Sequence, residues 1–278
     1  GVELAQVLPY STGVIGEKLP TDRIISAVPA AFDALTADGW LAAANGITTT
    51  DTRPKAWSEQ FEYQGETVTL TGISKGAGMI KPNMATMLAY VATDAKIESG
   101  LLQKMLSRSA DLTFNRVTID GDTSTNDSCM LVATGAGNVE VTEVDAALFK
   151  QFNTVLDKVM LELAQAIVRD GEGATKFVTI SVEQAASSEE ALKTAYAVAH
   201  SPLVKTALFA SDPNWGRILA AVGYAGVENL DVDALQIFLG EVCIVANGGR
   251  ADSYTEEAGQ AVMSEEDITI RIVVNRGD

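Results

Sequence analysis

SKGAGMIKPNMATMLAYVATD, residues Ser74 to Asp94, changes character halfway along its length. It opens as a glycine-rich turn, passes through Lys81-Pro82-Asn83, and reaches Ala85-Thr86. From Met87 it becomes apolar, as a helix or a buried segment would. A flexible loop thus delivers a small residue and a threonine to the start of an ordered element. Two local readings follow. Thr86 is the N-cap of a helix beginning at Met87, a common place for threonine before an apolar run. Alternatively, Ala85-Thr86 is a bond that the protein cuts in itself, and Thr86 is the nucleophile released by the cut.

Upstream, residues 58–64 and 66–73 alternate with period two around Gly65, which predicts a hairpin feeding directly into this loop. Before it lies Ile47-Thr48-Thr49-Thr50-Asp51-Thr52-Arg53-Pro54. So many hydroxyls read either as a strand edge bonded to its own backbone or as the polar wall of a substrate site. Farther upstream, Ser11-Thr12-Gly13-Val14-Ile15-Gly16 is a polar turn, Pro20 to Asp38 is an amphipathic helix, and a second Ala-rich helical segment stops at Asn45-Gly46.

Downstream, Ile97 to Leu112 reads as a helix, Val117–Ile119 as a short strand, Asp120 to Asp127 as a polar loop, and Cys129 to Thr134 as a strand. Asp145 to Val168 carries the longest helical pattern. Phe177 to Val182 reads as a strand, 187–199 as a helix, Thr206 to Ala210 as a strand, and Ile218 to Val222 as the start of a helix. Strands at 235–239 and 242–246, a short helix near 255–263 and a strand at 267–274 complete the pattern. Helices and hairpins are mixed, so the fold class is α/β, a β-sheet sandwich covered by helices. A change of texture near 171–187 suggests a domain 1–175 followed by a smaller C-terminal α/β domain, 176–278.

Composition narrows the chemistry. A 278-residue chain with 47% hydrophobic and 21% charged residues is long enough to bury a sizeable core. A net charge of −17 with no basic stripe argues against nucleic acid. No apolar run is long enough to span a bilayer, and no signal peptide is visible, which points to the cytoplasm. The first residue is Gly1 rather than Met, as expected of a processed piece or a fragment. Two distant cysteines, Cys129 and Cys243, make neither a disulfide framework nor a thiolate metal site, and read as buried free thiols. A single histidine, His200, leaves little room for a Ser-His-Asp arrangement or a zinc site. Its surroundings read as the end of a helix running into a strand.

A nucleophilic enzyme of this composition needs a base other than histidine. If the Ala85-Thr86 bond is cut, the new α-amine of Thr86 sits on the same Cα as the hydroxyl. With an ordinary pKa of about 8 it is partly neutral near pH 7 and can take the hydroxyl proton. An oxyanion hole would come from a glycine turn, either Thr12-Gly13 or the Gly76/Gly78 loop. Lys75 is either a solvated lysine or a clamp for a carboxylate. Glu172, between two glycines, is either a surface acid or a partner for a substrate ammonium.

Six stretches taken together resemble one family. They are STGVIGEKLP (11–20), TTDTRPK (49–55), KGAGMIKPNMATMLAYVATDA (75–95), NRVTIDGDTSTNDS (115–128), DGEGATK (170–176) and SDPNWGRIL (211–219). In order and over nearly the whole chain, they look like the ornithine acetyltransferase (glutamate N-acetyltransferase) family of arginine biosynthesis. The resemblance implies self-cleavage between Ala85 and Thr86 into two pieces that stay together. It implies that Thr86 takes the acetyl group of N2-acetyl-L-ornithine as an ester and passes it to L-glutamate. By the family's pattern, Thr12 and Gly13 form the oxyanion hole, and Thr52, Lys75, Thr86 and Glu172 contact the substrate. No cofactor and no metal are implied, though acetyl-CoA is a candidate co-substrate, and two cleaved pairs would form a heterotetramer. Family members begin before Gly1 and continue past Asp278 into a tail that helps bind substrate. The alternatives are a self-processing amidase or aminopeptidase of similar fold, and a non-catalytic amino-acid-binding relative.

Overall fold

The computed structural model describes residues 3–81, 87–124 and 126–277. The chain forms two compact units, residues 1–172 and 173–278, each with its own hydrophobic core.

The first unit is built on a four-stranded sheet in the order β1-β2-β3-β4. Strands β1 (Lys55–Tyr63) and β2 (Glu66–Lys75) form the expected hairpin, with Tyr63 opposite Glu66. Gln64 and Gly65 both take positive φ (51° and 85°), the two-residue turn whose twist matches that of the strands. β3 (Leu88–Thr93) pairs antiparallel with β2, and β4 (Ser128–Ala133) pairs parallel with β3.

The apolar run after Met87 is therefore a strand and not a helix. Leu88, Ala89 and Val91 are buried and hydrogen-bonded strands flank β3 on both sides, which erases the period-two signal that would have marked it. Since no helix begins at Met87, the helix-cap reading of Thr86 has nothing to cap.

Helices α1 (Thr21–Asp33) and α2 (Trp40–Gly46) precede the sheet, and α3 (Ser99–Leu112) connects β3 to β4. α4 (Ala146–Arg169) packs across β1 and β2. Asp145 caps α4, its side chain accepting from the Leu148 amide at 3.1 Å. Leu148, Phe152, Leu156, Val159, Leu163 and Ile167, spaced three and four apart, are fully buried in the same core cluster as Val68 and Leu70 of β2. Phe152 meets Phe61 edge to face at 6.4 Å. Residues 117–119, expected as a strand, lie outside the strands of the sheet. Their polar groups serve a loop instead, the Ile119 amide (2.8 Å) and the Thr118 hydroxyl (3.0 Å) both donating to the Ile80 carbonyl.

The second unit carries a five-stranded sheet in the order β5-β9-β6-β7-β8. Its strands are β5 (Phe177–Glu183), β6 (Gln236–Leu239), β7 (Val242–Ala246), β8 (Gly249–Arg250) and β9 (Asp267–Val273). Only β5 and β9 run parallel. Ile268, Ile270 and Ile272 alternate into the core with Leu235, Ile237 and Ile244. Helices α5 (Ser188–Ala199), α6 (Pro202–Phe209), α7 (Trp215–Gly223) and α8 (Glu256–Met263) complete it. The expected strand over 206–210 is the end of α6. Ser201 caps that helix, accepting from the Val204 amide at 3.3 Å, and Pro202 fills its first position. His200 therefore ends one helix and leads into another, its ring against Tyr196.

The mixed α/β class, with sheets flanked by helices, is that of the sequence reading. Among the described residues no helix is long and apolar enough to cross a membrane.

Candidate active site

The hairpin register sets Lys55 opposite Ser74, so the start of β1 lies beside the end of β2. Asp170, the C-cap of α4, arrives at the same edge. Lys55 Nζ sits between two carboxylates, Asp51 Oδ1 at 2.5 Å and Asp170 Oδ2 at 2.6 Å, with all three side chains at most 3% exposed. Asp51 Oδ1 also accepts from the Gly76 amide (2.7 Å), and its other oxygen from the Thr49 amide (3.0 Å). Asp170 accepts from the Thr52 amide (3.1 Å) and from the Thr52 hydroxyl.

Burial pushes both carboxyl pKa values up. For Asp51 the Gly76 amide and Lys55 more than offset this, and for Asp170 Lys55 and Thr52 do so, leaving both below the ordinary range. The cluster is structural in effect. It ties the Thr48–Thr52 segment, the start of β1 and the end of α4 to the loop that leaves β2.

That loop begins at Lys75, which is 4% exposed, so the solvated-lysine reading does not hold. Burial lowers its ammonium pKa, Asp51 and Asp127 act to raise it, and Lys55 adds to the lowering. Gly76 has φ +145°, a conformation that a side chain would strain. Because its amide already serves Asp51, that N–H is not a free oxyanion donor. The Glu172 amide donates to the Ala77 carbonyl at 2.8 Å. The Glu172 carboxylate lies against Gly78 so closely that a Cβ there would sit 2.7 Å from Oε1. Glu172 is exposed and has no hydrogen-bond partner for its carboxylate among the described residues.

Asp120 then holds the loop's far side, accepting from the Met79 (2.5 Å) and Ile80 (3.0 Å) amides. The chain returns at Met87, whose carbonyl accepts from the Ser128 amide at 2.9 Å. Ala85 and Thr86 lie outside the described residues.

The N-terminal turn reaches the same region. Asn126 Nδ2 donates to the Ser11 carbonyl at 2.7 Å, and Tyr10 packs edge-on to Tyr90 of β3 at 6.3 Å. Thr12 is half-buried, and the space around Gly13 is open to 4 Å.

Lys75 and Glu172 therefore flank one loop, Thr52 joins them through Asp170, and Thr12-Gly13 is tethered to the 120s loop that borders it. Asp51, Lys55, Asp170 and Asp127 escaped sequence reasoning. Their only trace was position. Asp51 and Lys55 stand in the TTDTRPK stretch, Asp170 opens DGEGATK, and Asp127 stands near the end of NRVTIDGDTSTNDS.

A family model, the ArgJ family, matches residues 1–278. The chain belongs to the ArgJ family. Relatives named arginine biosynthesis bifunctional protein ArgJ include that of Pseudomonas syringae pv. tomato, 61% identical over 279 residues, covering 100% of this chain and 69% of that protein. The Methylococcus capsulatus ArgJ is 57% identical, covering 98% of this chain and 67% of its own length. The crystal structure of the Bacillus halodurans ArgJ superposes with a TM-score of 0.66 at 39% identity, covering 69% of this chain and 90% of that one.

Proposed function

We propose that this ArgJ-family chain is a self-cleaving acetyltransferase of arginine biosynthesis. It cuts itself between Ala85 and Thr86, then moves the acetyl group of N2-acetyl-L-ornithine to L-glutamate through an ester on Thr86. The observation that carries this reading is the convergence of Lys75, Glu172 and the Thr52–Asp170 pair on the loop that leads into Ala85-Thr86.

The chemistry runs in two halves. The Thr86 hydroxyl, relieved of its proton by its own α-amine, attacks the acetyl carbonyl of N-acetylornithine. The tetrahedral oxyanion is held by donors at Thr12-Gly13, and ornithine leaves as the amine. The α-amine of glutamate then attacks the acetyl ester, and the Thr86 hydroxyl is restored. Both amino acids carry an α-carboxylate and differ at the side-chain end. One site holds both if Lys75 clamps the common carboxylate and Glu172 takes the ornithine ammonium. A buried lysine suits the first role, because its charge is poorly screened. Acetyl-CoA as a second donor would fit the word bifunctional in the relatives' name. A pair of cleaved chains associating as a heterotetramer belongs to the same proposal.

The test is Thr86→Ala. The unaltered chain should run as two bands on a denaturing gel and transfer acetyl to glutamate, and the variant should do neither. Transfer surviving in Thr86→Ala would refute the nucleophile. Acetate release without acetylglutamate would favour the amidase alternative.

A further inference from the structure

Asp170 holds one residue twice. Its Oδ2 accepts from the Thr52 amide at 3.1 Å, and its Oδ1 accepts from the Thr52 hydroxyl. The carboxylate is buried, whereas Thr52 is exposed. Backbone and side chain of Thr52 are thus both fixed on a group inside the protein, with the hydroxyl left at the surface.

Charge settles the direction of the hydroxyl bond. Lys55 Nζ lies 2.6 Å from Asp170 Oδ2, and Arg53 Nε lies 3.8 Å from Oδ1. Burial pushes the Asp170 carboxyl pKa up, but Lys55 and Thr52 more than offset this, so the group is ionised at neutral pH. A carboxylate only accepts, so the single proton of the Thr52 hydroxyl is committed to Asp170. What the hydroxyl keeps for another partner is its lone pairs, and none of the described residues donates to them. A ligand carboxylate would bond there only by taking that proton, which would strip a buried Asp170 oxygen of its hydrogen bond. A ligand therefore meets Thr52 through an N–H.

The proposed substrates narrow the choice of N–H. Lys75 has been given the α-carboxylate, and Glu172, two residues after Asp170, the terminal ammonium of ornithine. The α-nitrogen is left over. It is an amide N–H in N-acetylornithine and an ammonium in free ornithine and glutamate, a donor in every case.

We infer that the Thr52 hydroxyl accepts from the substrate's α-nitrogen, and that Asp170 is the positioning residue that makes it an acceptor by holding its proton. The inference rests on the proposed acetyl transfer and assigns the substrate group that Thr52 contacts. The α-nitrogen loses the acetyl group from one substrate and gains it in the other, so the same contact serves both halves of the reaction.

The experiment titrates the full chain calorimetrically with L-ornithine and with 5-aminopentanoate, which keeps the carboxylate and the terminal ammonium and lacks only the α-nitrogen. Neither carries an acetyl group, so binding is read without turnover. The unaltered protein should bind ornithine more tightly by about tenfold. Thr52→Val, which removes the hydroxyl at nearly constant shape, should weaken ornithine by about that factor and leave 5-aminopentanoate unchanged. Thr52→Ser should keep most of the preference. Asp170→Asn, whose side-chain amide can donate to the hydroxyl and free its proton, should erase the preference. If that variant does not fold, the two Thr52 variants decide. Equal losses for both ligands in Thr52→Val overturn the inference, because a hydroxyl that donates to the shared carboxylate would weaken both alike. A folded Asp170→Asn that keeps the full preference overturns the positioning role. An unaltered chain that binds both ligands alike, or neither, overturns the inference as well. A chain that shows the preference and its loss in Thr52→Val, yet transfers no acetyl to glutamate, supports the contact and refutes the proposed reaction, so the two failures are told apart.

Discussion

Lys55 neutralises a buried crowd of charge at the edge of the site. It shares hydrogen bonds with Asp51 and Asp170, and removing its ammonium would leave two carboxylates facing each other out of water. Lys55→Met should therefore destabilise the first unit by about 3–5 kcal/mol, read as a lower denaturation midpoint. Both carboxyl pKa values are depressed on folding, so their contribution is complete above the ordinary aspartate value of about 4 and is lost as pH falls through the folded values. Melting temperatures measured down a pH series should fall steeply below about pH 4 in the unaltered protein and less steeply in the variant. Glu172 is the opposite kind of acid, exposed, set against Gly78 and with no hydrogen-bond partner for its carboxylate among the described residues. Glu172→Gln should raise KM for N-acetylornithine more than KM for glutamate, and equal effects on both would remove it from ammonium recognition.

Strand β3 shows what an element owes to its neighbours. LAYVAT has no period-two pattern and would suit a helix, yet β2 on one side and β4 on the other supply ladders for both of its edges. Helix α4 is the contrary case. Its apolar stripe is legible residue by residue, and it is buried in the core that α4 shares with β1, β2 and α3. Helix α1 has an equally clear stripe, but Ile25, Val28 and Phe32 are exposed. Periodicity announces that a face exists and says nothing of what covers it. Thermal melts should separate the two helices. Phe152→Ala, a fully buried ring on α4, should cost about 3–5 kcal/mol, whereas Phe32→Ser on α1 should change stability by no more than about 0.5 kcal/mol.

The whole molecule carries a net charge of −17, the excess of 37 acidic over 20 basic side chains. Self-repulsion of this size weakens the folded state and is screened by salt over about 10 Å at 0.1 M. The melting temperature at neutral pH should therefore rise as sodium chloride is added from low ionic strength, and a fall would show that surface ion pairs outweigh the repulsion. The sequence by itself determined the α/β class, the β1–β2 hairpin, α4 and the six stretches that carry the family, because these depend on local period, turn chemistry and residue identity. It also brought Lys75, Thr86 and Glu172 forward as candidates. Only the tertiary structure decided that the run after Met87 is a strand, that Lys75 is buried, and that Asp51, Lys55 and Asp170 form one cluster. Burial and charge pairing there join residues more than a hundred positions apart, and no local pattern encodes a distance of that kind.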